Sequence, residues 1–375
     1  MDTLTGPPPI LRSSCLAAPR PAYALSRRTL LAGIGAGAAL AACGRAATPV
    51  AEPSTEPSGA PPPSQEDLVG RALAAVEVDA PLRLTPILFV PEVLTGPERH
   101  LQFGVVDVEQ AAQPGLELDV WFADQNGAVA AGPYQPTFYP RADIPPTGGL
   151  YHALVELDAA GTYDLVIATR DRSVAGAGVV QVVTADETTI LAPGAAFPSL
   201  QTPTTTDAME VADVCTREPE CPLHEISLDA ALANDRPTIV TSSSATHCAT
   251  ALCAPALDGV VAAYDGMHEE HHQLFGGHED GIQWLSGPNF VHVEPYIDAD
   301  GKELSPLAKT LGIGGSPWTW LVGVDGVVLD RIGGPVSAAI LRSRINALCP
   351  QTNCVDPAKA SEAPSAPAEA GTNDE

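Results

Sequence analysis

The amino-acid sequence predicts two folded regions, an antiparallel β-sandwich followed by an α/β domain. Short runs of alternating apolar and polar residues, separated by turn signals, fill residues 82–183. After residue 210, strand-like segments alternate with helix-like segments, which is typical of an α/β fold. Without its polar ends the chain has about 290 residues, a length that suggests two domains. We assign residues 80–190 to the sandwich, 191–222 to a connector and 223–350 to the α/β domain.

Residues 1–42 have the composition and order of an export signal. Four arginines precede an uncharged run from Thr29 to Ala42. That run has the length of a signal-peptide apolar region, and it is too short to span a bilayer. The segment Ser26–Leu31, with its paired arginines, resembles a twin-arginine export motif. The residues that end at Cys43 resemble a lipobox, which implies that Cys43 is lipidated and anchors the mature chain to a membrane of the cell envelope.

Two further segments lack the large apolar residues that a core needs. Residues 43–66 are rich in proline, alanine and serine, and we expect a semi-extended spacer that holds the folded part away from the lipid surface. Residues 355–375 are rich in alanine, proline and glutamate, and they should form a solvated acidic tail.

The sandwich is predicted from strand-like runs and the turns between them. The clearest runs are residues 101–108, 116–122, 151–157 and 163–168. Tyr163, which follows Gly161 and Thr162 at the start of a strand, resembles the tyrosine corner of immunoglobulin-like domains. We interpret His100 and His152 as surface or rim residues, and we find no catalytic constellation in this region.

The α/β domain is predicted from segments that differ in period. We expect buried strands at 236–241 and 289–296, helices at 248–264, 304–311 and 337–348, and a hairpin whose strands are 318–324 and 327–332. Asp325 and Gly326 separate the two hairpin strands and are a strong turn signal. The resulting order is strand, helix, strand, helix, hairpin, helix.

This order resembles the thioredoxin fold over about residues 224–348. Cys248 and Cys253 lie where the first strand meets the first helix, and Pro255 follows closely. Pro317 precedes the hairpin, where thioredoxin-like proteins place a cis-proline that faces the redox cysteines. The resemblance implies Cys248, Cys253 and Pro317 as the catalytic residues of a thiol/disulfide oxidoreductase.

A closer resemblance is to exported bacterial thioredoxin-domain proteins that carry a Cys-x4-Cys-x-Pro run, here from Cys248 to Pro255. They also carry an upstream Cys-Thr-Arg…Cys…His stretch, which here begins at Cys215 and continues through Cys221 and His224. This resemblance implies that the partners are thiols and disulfides of other exported proteins.

Six of the eight cysteines form three close pairs along the sequence. The pairs are Cys215 with Cys221, Cys248 with Cys253, and Cys349 with Cys354. In an oxidising compartment such pairs are natural disulfide candidates. We interpret the first and third as structural disulfides that each close a short loop and contribute roughly 2 kcal/mol. Zinc binding is the rival explanation, although the two-residue spacing of a zinc knuckle is absent from all three pairs.

The redox chemistry is predicted from the position of the middle pair. A cysteine at a helix N-terminus is acidified by unpaired backbone N–H groups and by the helix dipole. Cys248 is therefore the predicted nucleophile, and Cys253 would resolve the mixed disulfide. Positions five apart on a regular helix lie about 7.5 Å apart along its axis, so part of the segment between them must be non-helical for a disulfide to form. Otherwise the pair is better suited to holding a metal, and a permanent disulfide without turnover is a further alternative.

Four histidines, His268, His271, His272 and His278, lie between the first helix and the next strand of the α/β domain. Residues 268–272 formally satisfy the His-Glu-x-x-His zinc-protease motif, which we discount because glycines bound the segment. Copper or zinc binding by these histidines is an alternative to a solvated loop. It matters because Sco-type copper chaperones combine a thioredoxin fold with two cysteines and a distant histidine.

Charge and composition narrow the function. The formal net charge of −27 argues against nucleic-acid binding and against electrostatic docking on anionic lipid. Membrane contact should therefore come from the lipid on Cys43, with the folded part facing the periplasm or the cell exterior. Three functions remain: an envelope thiol/disulfide oxidoreductase, a metal-binding or copper-delivery protein, and a non-catalytic module with an inert thioredoxin fold.

Overall fold

The computed structural model describes residues 64–248, 250–275 and 287–349. The export signal, Cys43, nearly all of the spacer and the acidic tail lie outside these ranges. The described part is mostly β-structure in two mixed sheets, with few helices. Its helices are Gln65–Ala75 (α1), Leu228–Leu232 (α2), Cys253–Phe275 (α3), Pro306–Leu311 (α4) and Ala338–Leu348 (α5). Within the described ranges, no helix combines bilayer-spanning length with the apolar character that a membrane span requires.

The first sheet contains the strands expected of a β-rich region. They are Leu82–Leu88 (β1), Glu92–Leu94 (β2), Gly96–Asp107 (β3), Leu118–Ala123 (β4), Val129–Tyr134 (β5), Thr137–Pro140 (β6), Gly149–Leu157 (β7), Gly161–Thr169 (β8) and Ala175–Val183 (β9). Hydrogen bonding follows the order β5-β4-β8-β9-β1-β3-β7-β6, with β2 beside β9. The four runs predicted from alternation correspond to β3, β4, β7 and β8, so the prediction of a β-rich first region is confirmed.

The first sheet folds around its own apolar core. Phe103 in β3, Phe122 in β4, Tyr151 in β7 and Leu165 in β8 are buried in one cluster. The rings of Phe103 and Tyr151 stack with centroids 5.4 Å apart. Because β4 and β8 are distant from β3 and β7 in the hydrogen-bonding order, the sheet must curve until these strands face one another across the core.

Helix α1 covers an apolar patch on the outside of the first sheet and was not predicted. The Ser64 side chain accepts from the backbone N–H of Asp67, and the Asp67 carboxylate accepts from that of Ser64, which forms a capping box. Val69 and Leu73 then pack on Trp121 in β4. The sequence predicts a spacer up to residue 66 and no helix directly after it. The short segment is helical because it packs against Trp121, a contact that the local sequence does not reveal.

The second sheet has four strands in the order β11-β10-β12-β13. They are Thr238–Ser242 (β10), Asn289–Val293 (β11), Trp318–Val322 (β12) and Val328–Gly333 (β13). β10 runs parallel to β11 and antiparallel to β12, and β12 and β13 form an antiparallel hairpin. Helix α3 follows β10, α4 lies between β11 and β12 in the chain, and α5 follows β13. The element types match those expected, but α3 begins at Cys253 instead of Cys248 and extends to Phe275.

Both faces of the second sheet are covered. Alternate residues of a strand point to opposite faces, so Ile239 and Leu321 join the cluster that contains α3 and α5. Val240 and Trp320 join the opposite cluster, which contains α2, α4 and part of the connector. The indole N–H of Trp320 donates to the carbonyl oxygen of Leu191 at 3.0 Å, which fixes the connector on this face.

The two sheets belong to one compact unit and contact each other through a buried polar network. Asp330 in β13 lies 2.9 Å from Nε2 of His100 in β3 and accepts from Arg344 in α5 at 2.7 Å. His152 in β7 lies 2.9 Å from the other ring nitrogen of His100. The His100 side chain is only 5% exposed, so the expected surface or rim position is wrong for this residue. His100 lies at the junction of the two sheets because Asp330 offers it an acceptor there, and His152 contacts the other side of the His100 ring.

Candidate functional site

Cys248 and Cys253 are joined by a disulfide, and their Cα atoms lie 5.9 Å apart. Cys248 lies in the loop after β10 and is partly exposed. Cys253 is the first residue of α3 and is fully buried. The helix begins only at Cys253, so the two cysteines do not lie on one regular helix. A separation of five residues, which would be too long for a disulfide within a helix, is therefore compatible with the bond.

The helix N-terminus acts on Cys253 and not on Cys248, so that expectation is corrected. The first turn of α3 contains no acidic residue that would oppose a thiolate. The positive end of the helix therefore favours the ionised form of Cys253 once the disulfide is reduced. The Cys253 sulfur also lies 3.5 Å from the carbonyl oxygen of Gly315, to which its thiol can donate in the reduced form.

Pro317 is in the segment before β12, but it does not have the expected cis peptide bond. The Ser316–Pro317 bond is trans, and the Pro317 carbonyl oxygen accepts from the backbone N–H of Gly334 at 2.9 Å. Gly315 makes the contact with Cys253. Gly315 has a φ of 87°, and a Cβ at this position would lie 2.2 Å from the Tyr296 hydroxyl oxygen, so only glycine fits this close approach.

Cys215 and Cys221 do not form the expected structural disulfide. Their sulfur atoms lie 3.7 Å apart, far beyond a bonded distance of about 2.05 Å, and both residues are free and buried. Nδ1 of His292 lies 3.9 Å from the Cys215 sulfur and 3.4 Å from the Cys221 sulfur. Nε2 of His224 lies 2.9 Å from the same nitrogen. These four residues, which we call the Cys/His cluster, place their donor atoms within 4.8 Å of one another.

Two parts of the chain supply the Cys/His cluster. Cys215, Cys221 and His224 come from the irregular segment between β9 and α2, and His292 comes from β11. The backbone N–H of His292 donates to the carbonyl oxygen of Leu223 at 3.0 Å, which aligns the segment beside the strand. Both imidazoles are at most 2% exposed. The arrangement is a group of two thiols and two imidazoles that could bind a metal.

Hydrogen bonds determine which nitrogen of His292 faces the two sulfurs. Its Nε2 lies 2.8 Å from the carbonyl oxygen of Ser243. A carbonyl oxygen can only accept, so Nε2 carries the proton and Nδ1 presents its lone pair to the cluster. The backbone N–H of Cys221 donates to the Cys215 sulfur at 3.5 Å, which favours a thiolate at that residue. Nδ1 of His224 is buried and has no hydrogen-bond partner among the described residues.

The electrostatic environment of the cluster differs between its members. The hydrogen bond with Cys221 lowers the pKa of the Cys215 thiol, with further contributions from His224 and His292 that outweigh burial. The same bond, together with burial, raises the pKa of the Cys221 thiol. Burial opposes protonation of His292, but the contact with Cys215 and the charge of Glu294 raise its pKa overall.

The cluster lies beside the loop that carries the disulfide. The backbone N–H and the hydroxyl group of Thr216, which follows Cys215, both donate to Oε1 of Glu294 at 2.7 Å. Oγ1 of Thr216 accepts from the backbone N–H of Ala245 at 2.9 Å, in the loop that leads to Cys248. His224, His292 and Glu294 also line a cavity of about 280 Å³.

The remaining predicted site residues are partly outside the described ranges. Cys349 is disulfide-bonded, while its expected partner Cys354 lies outside. The ring of His268 lies 4.1 Å from that of Tyr264, and His268 is not part of the Cys/His cluster. His271 and His272 fall within α3, but their side chains are not described, and His278 and Cys43 lie outside the described residues.

Sequence reasoning missed His292 and treated His224 only as part of a resemblance. Two signals were present. Cys215, Cys221 and His224 have a Cys-x5-Cys-x2-His spacing, and His292 interrupts an apolar strand that is buried along its whole length. A histidine inside such a strand needs polar partners, and the two cysteines and Ser243 provide them.

Comparisons with known proteins do not identify a family. No family model matches the chain. No curated protein matches it either. Among solved structures, the chain is similar to the ZirS C-terminal domain at 10% sequence identity, over 42% of this chain and 95% of that one, with a TM-score of 0.16. It is also similar to a chain of a titin–obscurin-like 1 Ig complex at 17% identity, over 27% of this chain and 95% of that one, with a TM-score of 0.15.

Proposed function

We propose that the protein is a thioredoxin-like thiol/disulfide oxidoreductase of the cell envelope that exchanges disulfides through Cys248 and Cys253. The observation that carries this proposal is the asymmetry of the bonded pair. Cys248 is partly exposed, whereas Cys253 is enclosed at the start of α3. Exchange requires one sulfur that a partner thiolate can reach and a second sulfur that can leave.

The chemistry follows from this asymmetry. A partner thiolate attacks the Cys248 sulfur, the Cys248–Cys253 bond breaks, and Cys253 leaves with the electron pair as a thiolate. The helix N-terminus stabilises that thiolate, which makes it a better leaving group. A second thiolate of the partner then attacks the partner's sulfur in the mixed disulfide, and Cys248 leaves with the electron pair as a thiolate. The partner is thereby oxidised to a disulfide and the pair is reduced to two thiols. In the reverse direction the Cys248 thiolate attacks a partner disulfide, and Cys253 displaces the reduced partner.

The topology of the second sheet supports a thioredoxin-like assignment for residues 223–350. A parallel β10–β11 pair, an antiparallel β12–β13 hairpin and a helix after β10 occur in the order of that fold. The disulfide lies between β10 and α3, and the resemblance implies the redox cysteines at the place where the first strand meets the first helix. The trans peptide bond before Pro317 departs from the family pattern, so the proposal does not use this proline as a catalytic residue.

For the first sheet we propose an immunoglobulin-like sandwich over residues 80–190 that takes no part in exchange. The Tyr163 hydroxyl donates to the carbonyl oxygen of Ala159 at 3.0 Å, which is the contact of a tyrosine corner. The lipobox-like sequence before Cys43 supports lipid anchoring in the envelope. Exported proteins with accessible thiols or disulfides are the corresponding partners.

Copper delivery in the Sco manner is less well supported. It would require Cys248 and Cys253 in the reduced form together with a nearby histidine. Among the described residues, these two cysteines belong to no group of three metal donors, whereas the Cys/His cluster lies at a separate position.

A trapping experiment on the full chain tests the proposal. Cys253→Ser leaves Cys248 accessible, and we expect this variant to accumulate a mixed disulfide with oxidised glutathione, detected by mass spectrometry after acid quenching. Cys248→Ser should accumulate at least about tenfold less, because Cys253 is enclosed. The double variant is the control for the other cysteines. Equal amounts of the glutathione mixed disulfide in the two single variants, or none in either, would contradict disulfide exchange. The protein would then be a non-catalytic module with a thioredoxin fold.

A further inference from the structure

We propose that the Cys/His cluster of Cys215, Cys221, His224 and His292 binds one Zn²⁺ ion in a closed tetrahedral site. Two thiolates and two imidazoles in tetrahedral geometry favour zinc among biological cations. All four ligands come from the protein, so the site is structural and has no open position for a substrate. The proposal is independent of exchange at Cys248 and Cys253.

Four of the six distances between donor atoms lie close to those around a single tetrahedral ion, and all six are within 4.8 Å. Two sulfurs that bind one tetrahedral Zn²⁺ at about 2.3 Å lie about 3.8 Å apart, and those of Cys215 and Cys221 are separated by 3.7 Å. A sulfur and a nitrogen on the same ion lie about 3.6 Å apart, compared with 3.4 and 3.9 Å to Nδ1 of His292. The two imidazole nitrogens, at 2.9 Å, would separate by about 0.4 Å to reach the tetrahedral value.

Charge balance also favours a divalent ion. Two thiolates neutralise Zn²⁺, and two neutral imidazoles complete the site without adding charge, so a fully buried centre carries no net charge. Binding displaces to solvent the protons that the ligands still carry and changes no oxidation state. A Cys215–Cys221 disulfide would instead require the sulfurs to approach by about 1.7 Å and would leave both buried histidines without their sulfur partners.

The surroundings orient two of the four donors, His292 and Cys215, toward the centre of the cluster. The Ser243 carbonyl fixes the His292 tautomer, and the backbone N–H of Cys221 supports a thiolate at Cys215. The bonds from Thr216 to Glu294 hold the residue that follows Cys215. Nδ1 of His224 has no partner among the described residues, so a bond at its Nε2 would fix this ring. The adjoining cavity of about 280 Å³ offers an entry path for the ion.

The site would attach a long connector to the second sheet. Residues 184–227 contain no helix or strand, and long segments of this kind in a compact region need other constraints. Cys215, Cys221 and His224 belong to this connector, and His292 belongs to β11. A metal that joins the connector to β11 closes a long loop. A crosslink of this kind stabilises the folded state most when the loop is long, because it removes more conformational entropy from the unfolded chain.

Metal analysis of the full chain tests the proposal. The background is the Cys248→Ser, Cys253→Ser double variant, in which the redox pair cannot contribute. After chelation and reduction, this protein should bind one equivalent of Zn²⁺ and show a higher Tm when it is loaded. With Co²⁺ it should show the charge-transfer and d–d bands of a tetrahedral dithiolate site. Adding Cys221→Ser or His292→Ala should weaken Zn²⁺ binding by at least about 100-fold.

Three results would overturn the proposal. The first is a Cys215–Cys221 disulfide in peptide maps of the protein isolated without a reductant. The second is the absence of Zn²⁺ and Co²⁺ uptake by the reduced background protein, a result that does not depend on whether the ligand variants fold. The third is unchanged Zn²⁺ affinity in folded Cys221→Ser, which would assign the ion to other residues.

Discussion

The carbonyl oxygen of Ser243 accepts a hydrogen bond from Nε2 of His292 at 2.8 Å. The hydroxyl group of the same serine donates to the carbonyl oxygen of Cys253, also at 2.8 Å. Ser243 directly follows β10, so one buried residue contacts both the Cys/His cluster and the first residue of α3. The proposed structural site therefore supports the segment that carries the Cys248–Cys253 disulfide.

Ser243→Ala separates these two contacts, because it removes the hydroxyl group and keeps the carbonyl oxygen. We expect the free energy of unfolding to fall by about 1–3 kcal/mol, since a buried acceptor on Cys253 loses its donor. The Zn²⁺ content should not change. Urea unfolding and metal analysis of the same samples check both parts, and a loss of Zn²⁺ would show that the carbonyl is not what orients His292.

Asp330→Asn tests the polar network between the two sheets. The substitution removes the buried carboxylate partner of Arg344, which keeps only the exposed Glu98, and it weakens the acceptor for His100. We expect a loss of about 3–5 kcal/mol in the free energy of unfolding, measured by urea denaturation. The matched control is Glu98→Gln, because the Glu98 side chain is 64% exposed and also pairs with Arg344. That variant should lose less than about 1 kcal/mol, and equal losses would contradict the account.

Stability should depend on pH through His152. Burial, with a smaller contribution from the charge of His100, lowers the pKa of His152 to about 3. The unfolded chain binds a proton at this histidine below about pH 6.5, and the folded chain does not. Stability should therefore fall as pH drops from about 6.5 towards 3, by at most about 1.4 kcal/mol per pH unit for this residue. His152→Gln should reduce the slope of unfolding free energy against pH between pH 4.5 and 6.5, and an unchanged slope would refute this origin.

Two helical glycines predict opposite effects of the same substitution. A Cβ on Gly259 in α3 would lie 1.8 Å from the Val336 carbonyl oxygen, whereas one on Gly70 in α1 would have no atom within 4 Å. Gly259→Ala should cost about 1–3 kcal/mol or more, because the helix must move away from the segment before α5. Gly70→Ala should stabilise by up to about 1 kcal/mol through helix propensity. Thermal unfolding of both variants measures the difference, and the same sign in both would contradict the packing described for α3.

The elements of the second sheet could be predicted because their signals are local. The hairpin turn at Asp325 and Gly326 and the apolar strands on each side of it determine β12 and β13 with little help from the rest of the chain. The predicted start of α3 differs from the observed one, because the apolar periodicity begins at Cys248 whereas the helix begins at Cys253. Helix α1 was missed because its packing partner, Trp121, is distant in sequence.

The Cys248–Cys253 pair and the Cys/His cluster also differ in how far the local sequence predicts them. Cys248 and Cys253 are close in sequence, and their spacing alone indicates that they cannot form a disulfide if both lie on one regular helix. In the structure α3 begins only at Cys253, so the disulfide can form. The Cys/His cluster combines His292 with residues about 70 positions earlier, at Cys215 and Cys221. Sequence proximity favoured a local disulfide there, and only the tertiary position of β11 brings the second imidazole to the thiols.

The reduction potential of the Cys248–Cys253 disulfide tests the central claim most directly. Equilibration of the full chain in dithiothreitol or glutathione redox buffers, followed by thiol alkylation and mass spectrometry, measures it for this pair. An exchange-active pair should have a potential well above about −300 mV. A value below about −300 mV, as is usual for permanent structural disulfides, would contradict the proposed function.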